Sequence, residues 1–248
     1  MAAAAAAAAV PTSPPLRVTF YFDVGSPYSF LALEILLRYE RRWQLALELR
    51  PVMLGRLLKA AGNASPAAVP AKGAHAALDL RRAAVVCAVP ELAGGTPPNF
   101  MRLDTRPALN LIAAAQLQEQ EEQGRQGLPL ALARAAFRCV FRATQAGDVA
   151  FDAPALAAVC ARAGLDAAAA AALMARARGD PAAAAAVARN TAAALAAGAF
   201  GAPTLIVDSE RLPPGERLFF GSDRFEQMAA LLGLRWEGPC PPEARPRL

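Results

Sequence analysis

Apolar runs separated by short turns divide the front of the chain into three elements. Val18 to Val24 is rich in β-branched and aromatic residues and carries no charge before Asp23, which predicts a buried strand. Apolar residues then recur at helical spacing from Phe30 to Tyr39, and Leu45 to Met53 alternates loosely, as a strand does. This order of elements predicts a βαβ unit with parallel strands.

The middle of the chain, from about Arg56 to Ala197, is rich in alanine and predicts helices with clear end signals. An aspartate caps the start of each of the last three helices, and glycine marks the ends. These helices are predicted from Asp152 to before Gly164, from Asp166 to near Gly179, and from Asp180-Pro181 to Ala197, followed by Gly198. Loops are predicted at Asn63 to Lys72 and Gly94 to Pro98, and a solvated helix end at Gln118 to Gly127.

Strand character returns near the end of the chain. Thr204 to Val207 and Leu218 to Phe220 predict two strands, and a final helix runs through Leu232. The predicted fold class is therefore α/β: a thioredoxin-like domain, split as βαβ … ββα, that is interrupted by an inserted all-helical domain. We expect a disordered polyalanine and proline extension at 1–16, the thioredoxin-like domain at 17–55 and 199–248, and the insert at 56–198.

Composition narrows the function classes. The 248 residues carry a net charge of +5, but the arginines are scattered along helical segments and form no dense basic block, which argues against nucleic-acid binding. The cysteines show no C-x-x-C spacing, which argues against a zinc ribbon and favours a reducing compartment. The single histidine, His75, excludes a multi-histidine metal site, and we expect no metal. The four cysteines are Cys87, Cys139, Cys160 and Cys240.

The termini carry weak address signals. The longest uncharged run, Asn190 to Val207, contains two glycines and a proline, and we expect no insertion into a membrane. The polyalanine start lacks the basic residues of a secretory signal and gives little support to a mitochondrial presequence. Pro246-Arg247-Leu248 is loosely similar to the Ser-Lys-Leu peroxisomal signal.

Ser26-Pro27-Tyr28-Ser29 lies between the first predicted strand and helix. Thioredoxin-type proteins carry Cys-x-x-Cys at this corner, with a low-pKa thiolate at the helix N-terminus. Serine at both cysteine positions excludes dithiol chemistry but leaves a hydroxyl where a thiolate would lie. The corner therefore predicts a site that holds the thiol of another molecule, and glutathione is the obvious candidate.

Two further corners complete this prediction. Pro203 just before a strand suggests a cis bond after Ala202, whose backbone would then be free to pair with an extended peptide ligand. Gly221-Ser222-Asp223 is a second strand-to-helix corner, where backbone N–H groups and the Ser222 hydroxyl can take a carboxylate and Asp223 an ammonium group. Each feature also has an ordinary interpretation: a helix cap, a strand-entry proline, a helix start, and polar loop residues at Asn63 and Lys72.

The ordered set of these motifs resembles kappa-class glutathione transferase, a DsbA-related family. The similarity runs from about Arg17 to the C-terminus. The motifs that carry it are Phe22 to Leu31, Leu49-Arg50-Pro51, Gly62-Asn63, Pro70-Ala71-Lys72-Gly73, Gly198 to Pro203, Phe220 to Arg224 and Trp236 to Pro239.

The resemblance implies a role for each matched residue. Ser26 matches the catalytic serine that stabilises the glutathione thiolate. The expected glutathione-binding residues are Pro27, Tyr28, Asn63, Lys72, Ala202, Pro203, Ser222 and Asp223, with Ala202 replacing a leucine whose backbone pairs with the cysteinyl group. Phe30, where a relative can carry tryptophan, is expected to reshape the electrophile pocket. The resemblance also implies a homodimer in the mitochondrial matrix or a peroxisome.

Three functions are consistent with these residues and with the resemblance. The leading one is conjugation of glutathione to small hydrophobic electrophiles of the aryl or alkyl halide type, in detoxification, with glutathione-dependent peroxide reduction as a side activity. The second is glutathione-dependent isomerisation of 2-hydroxychromene-2-carboxylate. The third is a redox-inactive thioredoxin-fold protein that binds peptides without catalysis, against which Ser222 and Asp223 argue.

Overall fold

A four-stranded mixed sheet forms the centre of the protein. The computed structural model describes residues 14–122, 127–142, 147–213 and 215–242, so the first thirteen residues of the predicted extension lie outside the described residues. The strands are β1 (Leu16–Phe22), β2 (Leu45–Pro51), β3 (Thr204–Asp208) and β4 (Leu218–Phe220), in the order β2-β1-β3-β4. β1 and β2 are parallel, and β3 is antiparallel to both β1 and β4. The predicted union of the front and back of the chain in one sheet is confirmed.

Helices surround this sheet and fill the stretch between β2 and β3. Aspartate caps start three of them as predicted, since the side chains of Asp152, Asp166 and Asp180 each accept a hydrogen bond from a backbone N–H of the first turn. The described helices are α1 (Pro27–Tyr39), α2 (Leu54–Ala60), α3 (Pro70–Val86), α4 (Arg106–Glu122), α5 (Leu128–Arg142), α6 (Ala153–Arg162), α7 (Ala167–Gly179), α8 (Pro181–Ala196) and α9 (Phe225–Leu232), with 3-10 turns at Pro66–Ala68, Pro90–Leu92 and Phe100–Arg102.

One predicted loop is shorter than expected. The loop predicted to reach Lys72 ends at Val69, because Pro70 takes the first position of α3, where a missing N–H costs nothing. The predicted solvated end of α4 is confirmed to Glu122, and the rest of that prediction, except Gly127, lies outside the described residues. None of the helices in the described ranges is long and apolar enough to cross a membrane.

α5 joins the helical segment to α1 through aromatic and ionic contacts. Phe30 of α1 is fully buried and stacks on Phe137 with ring centroids 5.0 Å apart. The buried carboxylate of Glu34 accepts two hydrogen bonds from Arg134, at 2.8 and 2.9 Å. The Phe30 ring is therefore part of the core that fastens α5 to α1, and its expected effect on an electrophile pocket stays a prediction.

The segment after α9 returns to the C-terminal end of α1. The Tyr39 hydroxyl donates to the Gly238 carbonyl at 2.8 Å and accepts from the Glu237 N–H at 2.9 Å. Trp236 stacks on Tyr39 with centroids 4.9 Å apart. These contacts fasten the C-terminal end of α1 to the segment that follows α9.

Candidate active site

Ser26 lies at the N-terminus of α1 and is 3 % exposed. As the N-cap, its Oγ accepts a hydrogen bond from the Ser29 N–H at 3.2 Å. The hydroxyl donates to the Ala202 carbonyl, also at 3.2 Å, across 176 residues of sequence. Both the cap and the predicted convergence of Ser26 with Ala202 are confirmed, so the single hydroxyl proton points toward the loop before β3.

That loop contains the predicted cis peptide bond between Ala202 and Pro203. The Pro203 carbonyl accepts the Gly221 N–H at 3.0 Å, which ties the loop to the corner between β4 and α9. Gly221 has φ +100°, a conformation that favours glycine, and a Cβ there would lie 2.6 Å from Asp223 Oδ1. Glycine therefore lets the corner turn while the Asp223 carboxylate stays close to the backbone.

Ser222 and Asp223 form the outer part of this corner. Ser222 is half-buried, and the exposed Asp223 carboxylate pairs with Arg224 at 2.7 Å. This cation is the next residue along an exposed chain, and such pairs contribute only about 0–1 kcal/mol. The Asp223 carboxylate can therefore exchange Arg224 for an ammonium group of a ligand at small cost.

Tyr28, in the first turn of α1, lies within electrostatic range of Asp223. Burial raises the pKa of its hydroxyl above the ordinary value, and the carboxylates of Asp79, on α3, and Asp223 raise it further. The half-buried phenol therefore stays protonated and able to donate a hydrogen bond near Asp223. Pro27 is buried at the first position of α1.

Asn63 reaches the same loop from the turn after α2. Its side-chain N–H donates to the Phe200 carbonyl at 2.8 Å, and its Oδ1 accepts from Ala64 N–H at 2.8 Å. Lys72 is exposed on the first turn of α3 and makes no hydrogen bond or ion pair with another described residue. Hydrogen bonds thus link the Ser26 corner to Ala202, Asn63 to the same loop at Phe200, and Pro203 to the Gly221 corner. The roles of all the predicted site residues, Lys72 included, stay predictions.

Asp23 directly follows β1, three residues before Ser26, and was not among the predicted site residues. Its buried carboxylate accepts hydrogen bonds from Gly25 N–H at 2.9 Å, Leu54 N–H at 3.0 Å and the Thr105 hydroxyl at 3.2 Å. Burial raises the pKa of this carboxyl above its usual range, while the three hydrogen bonds act in the opposite direction. A charge placed directly after an apolar strand and before Gly25-Ser26 was the available signal.

Ser29 occupies the second cysteine position of the thioredoxin corner. The residue is fully buried, and its Oγ has no hydrogen-bond partner among the described residues. The two serines of the corner therefore differ: Ser26 presents its proton to the loop before β3, whereas the Ser29 side chain makes no polar contact that the structure describes.

These groups can hold a thiolate and its peptide backbone. A hydroxyl at the N-terminus of α1 donates to an anion, and the helix dipole favours the same charge. The loop before β3 offers backbone groups. The β4–α9 corner, which is joined to that loop by the hydrogen bond from Gly221 N–H to the Pro203 carbonyl, offers a hydroxyl and a carboxylate. No group of three or more His, Cys, Asp or Glu side chains suited to a metal ion occurs in the described ranges.

A cavity of about 260 Å³ lies elsewhere, between the C-terminal end of α4, α5 and α7. It is lined by Gln118 and Glu122 of α4 and by Arg176, with apolar neighbours. α4 starts just after Thr105, near Asp23, and at 1.5 Å per residue Gln118 lies roughly 20 Å farther along the helix. This cavity is therefore separate from the Ser26 site.

Comparison with known proteins finds relatives similar in sequence and in fold. The family model of the DSBA-like thioredoxin domain matches residues 17–233. Glutathione S-transferase kappa 1 of Homo sapiens is 30 % identical over 240 residues, which cover 94 % of this chain and 98 % of that protein, and the Rattus norvegicus enzyme is 29 % identical over the same length and shares. A solved 2-hydroxychromene-2-carboxylate isomerase superposes with a TM-score of 0.61 and 26 % identity, covering 88 % of this chain and 94 % of that one.

Proposed function

This chain belongs to the DsbA-like thioredoxin family and to its kappa class of glutathione S-transferases, and from that membership we propose how its residues carry out the reaction. The protein is a glutathione transferase. It joins the glutathione sulfur to small hydrophobic electrophiles of the aryl or alkyl halide type. The thiol loses its proton to solvent, the sulfur forms a bond to carbon, and the carbon–halogen bond breaks as halide leaves.

The observation that carries this proposal is the hydrogen bond from Ser26 to Ala202. The Ser26 oxygen accepts a hydrogen bond from the Ser29 N–H, and its only proton is donated to the Ala202 carbonyl. That carbonyl lies in the loop with which the cysteinyl backbone would pair. A thiolate bound here accepts the hydrogen bond from the Ser26 hydroxyl in place of the Ala202 carbonyl. Because a hydrogen bond to an ionised acceptor is roughly twice as strong as one to a neutral carbonyl, the exchange favours the thiolate.

The other residues hold the tripeptide around this point. The Ala202 backbone pairs with the cysteinyl group, and Pro203, tied to Gly221, keeps that edge in register with the second corner. Ser222 takes the γ-glutamyl carboxylate and Asp223 its ammonium group, while Pro27 and Tyr28 border the space between the two corners. The Asn63 amide, already bonded to Phe200, and the Lys72 ammonium are placed on the side of α2 and α3.

Three further features belong to the same proposal. The active protein is a homodimer, which is supported by Leu78, Val85 and Val86 of α3, 39, 78 and 62 % exposed, since a second copy would cover them. Peroxide reduction is a side activity of the same thiolate in detoxification. The organelle, mitochondrial matrix or peroxisome, follows from the resemblance alone.

The test is glutathione-dependent conjugation of 1-chloro-2,4-dinitrobenzene by the purified protein, followed together with calorimetric binding of glutathione. Conjugation that depends on protein and on glutathione supports the transferase. Binding without conjugation, combined with turnover of 2-hydroxychromene-2-carboxylate, supports the isomerase, whose solved relative shares the fold. A protein that neither binds glutathione nor turns over either substrate contradicts both and leaves the peptide-binding protein.

A further inference from the structure

The Asp23 carboxylate is buried beside the active serine and has no cationic partner among the described residues. Asp23 is 4 % exposed, and its described contacts are two backbone N–H groups and one hydroxyl. A buried carboxylate without a cation is costly unless hydrogen bonds satisfy it, so its retention calls for a reason. Its position, directly after β1 and three residues before Ser26, supplies one.

The three donors come from three different segments that meet at the Asp23 carboxylate. Gly25 belongs to the turn into α1, Leu54 is the first residue of α2, and Thr105 immediately precedes α4. In addition, the Asp23 carbonyl accepts the Ser26 N–H at 2.9 Å. One residue therefore fixes the backbone of Ser26 and links the α1 corner to two helices of the middle segment.

Gly25 shows how closely these segments fit. A Cβ built on Gly25 would lie 3.0 Å from the Thr105 methyl group and 3.4 Å from Asp23 Oδ1. The turn before Ser26 is therefore in contact with both Asp23 and Thr105. If Thr105 moved away from the carboxylate, the turn at Gly25 would lose the Thr105 methyl group as a packing neighbour.

Both oxygens of the carboxylate are needed. Oδ1 accepts from Gly25, whereas Oδ2 accepts from Leu54 and Thr105. Each oxygen thus faces a backbone N–H, so an asparagine would turn its NH₂ group toward an N–H in either orientation. The arrangement is specific to two acceptor oxygens and is not met by an amide of the same size.

We propose that Asp23 is a positioning residue for the glutathione reaction, holding Ser26 where its hydroxyl meets the thiolate through Gly25, Leu54 and Thr105. This inference rests on the proposed function and adds to it a residue that never touches the substrate. The negative charge of Asp23 would by itself raise the pKa of a nearby thiol and so disfavour the thiolate. The benefit of Asp23 to the reaction therefore comes from the position it gives to Ser26.

The charge of Asp23 and its positioning of Ser26 shift the thiol pKa in opposite directions, so the variant Asp23→Asn distinguishes between them. If the residue positions Ser26, the variant lowers kcat by about tenfold to a hundredfold, as expected for a small displacement of a catalytic group. The KM for glutathione changes by less than about threefold, because the γ-glutamyl corner is untouched. The pKa of the bound glutathione thiol, measured from its ultraviolet thiolate absorbance against pH, rises toward the free value of about 8.5.

Two Thr105 variants test the same contact without altering the carboxylate. Thr105→Val removes the hydroxyl at constant shape and moves kcat and the thiol pKa in the same direction by a smaller amount. Thr105→Ser keeps the donor and restores both toward wild type. This pair also carries the test if Asp23→Asn does not fold. Asp166→Asn is the matched control, because asparagine caps α7 about as well as aspartate and wild-type kinetics are expected.

The outcomes separate this inference from the proposed function. A thiol pKa that falls or stays constant in folded Asp23→Asn, or in Thr105→Val where Asp23→Asn does not fold, overturns the positioning role even if the wild type conjugates glutathione. A wild type that binds no glutathione overturns both proposals. A wild type that binds glutathione but conjugates nothing still reports the thiol pKa, and a rise in both Asp23→Asn and Thr105→Val supports the inference.

Discussion

Replacing Ser26 by alanine removes one hydroxyl that has two separate duties. As a donor it makes the hydrogen bond that a thiolate would receive, and as an acceptor it caps α1 through the Ser29 N–H. We expect Ser26→Ala to lower kcat while glutathione still binds, because the γ-glutamyl and backbone contacts lie on other elements. Loss of the cap should also lower the free energy of unfolding by about 1 kcal/mol.

The size of the kcat effect distinguishes two sources of catalysis. A free thiol with a pKa near 8.5 is roughly 3 % ionised at pH 7, and lowering that pKa by ~2 units yields about 25-fold more thiolate. The lower basicity costs about six- to tenfold in nucleophilicity, so ionisation alone contributes only about threefold. The ~2-unit shift corresponds to about 2.7 kcal/mol, which is what one hydrogen bond to a charged group supplies, so this bond adds no further rate through ionisation. A loss above about tenfold therefore shows that Ser26 also positions the sulfur.

The assay is conjugation of 1-chloro-2,4-dinitrobenzene with glutathione varied, in parallel with thermal unfolding. Ser26→Gly serves as the companion variant, because glycine also lacks the hydroxyl but caps a helix within a few tenths of a kcal/mol of serine. Ser26→Ala should unfold about 2–4 °C below wild type and Ser26→Gly closer to it. Ser29→Ala is the control for the same chemical change one turn along, where the hydroxyl has no described partner.

Equal kcat losses in the alanine and glycine variants, with a near-wild-type Ser29→Ala, support a role for the Ser26 hydroxyl itself. A loss that follows the melting temperature from variant to variant would instead assign the effect to the helix cap. A loss confined to the KM for glutathione refutes the division of roles, because it would make Ser26 a binding residue only.

Three further predictions concern other parts of the molecule. Asp223→Asn should raise the KM for glutathione by about two- to fivefold with little change in kcat, as expected for an exposed charge pair, and a glutathione analogue lacking the α-amino group should show no additional loss with this variant. Phe30→Trp should lower the free energy of unfolding by about 1–3 kcal/mol by overpacking the ring against Phe137, and a change in the ratio of aryl to alkyl halide rates would contradict the buried position. Burial raises the pKa of Cys87 to about 11, so that about one molecule in a thousand carries the thiolate at pH 8, and peptide mapping after iodoacetamide treatment should find this cysteine modified only after unfolding.

Helix limits were predictable where a local signal defines them. The caps at Asp152, Asp166 and Asp180 are made by a side chain and an N–H two or three residues later, so the sequence contains both partners. The start of α3 was misplaced because proline is compatible with both a loop and the first helical position. Local chemistry alone does not decide between these two.

In the candidate site, too, features defined by neighbouring residues could be predicted, whereas contacts between distant segments could not. Ser26, Ala202, Pro203 and the Gly221 corner could be proposed in advance, because strand-to-helix corners and a proline before a strand are visible along the chain and the resemblance gives their order. The sequence did not reveal the role of Asp23, because the Leu54 and Thr105 donors lie 31 and 82 residues away. Nor did it reveal that the Phe30 ring is enclosed by α5.

By itself, the sequence determined the four strands, the helices that carry local end signals, the α/β class and the serine at the helix start, since each depends on side-chain periodicity and on hydrogen bonds between near neighbours. Only the tertiary structure decided which groups meet: the Ser26 hydroxyl with a carbonyl 176 residues away, and the Asp23 carboxylate with donors from three segments. The physical reason is that a hydrogen bond requires donor and acceptor within about 3 Å and suitably aligned. For groups far apart in the chain, that distance is set by how the helices pack against the sheet.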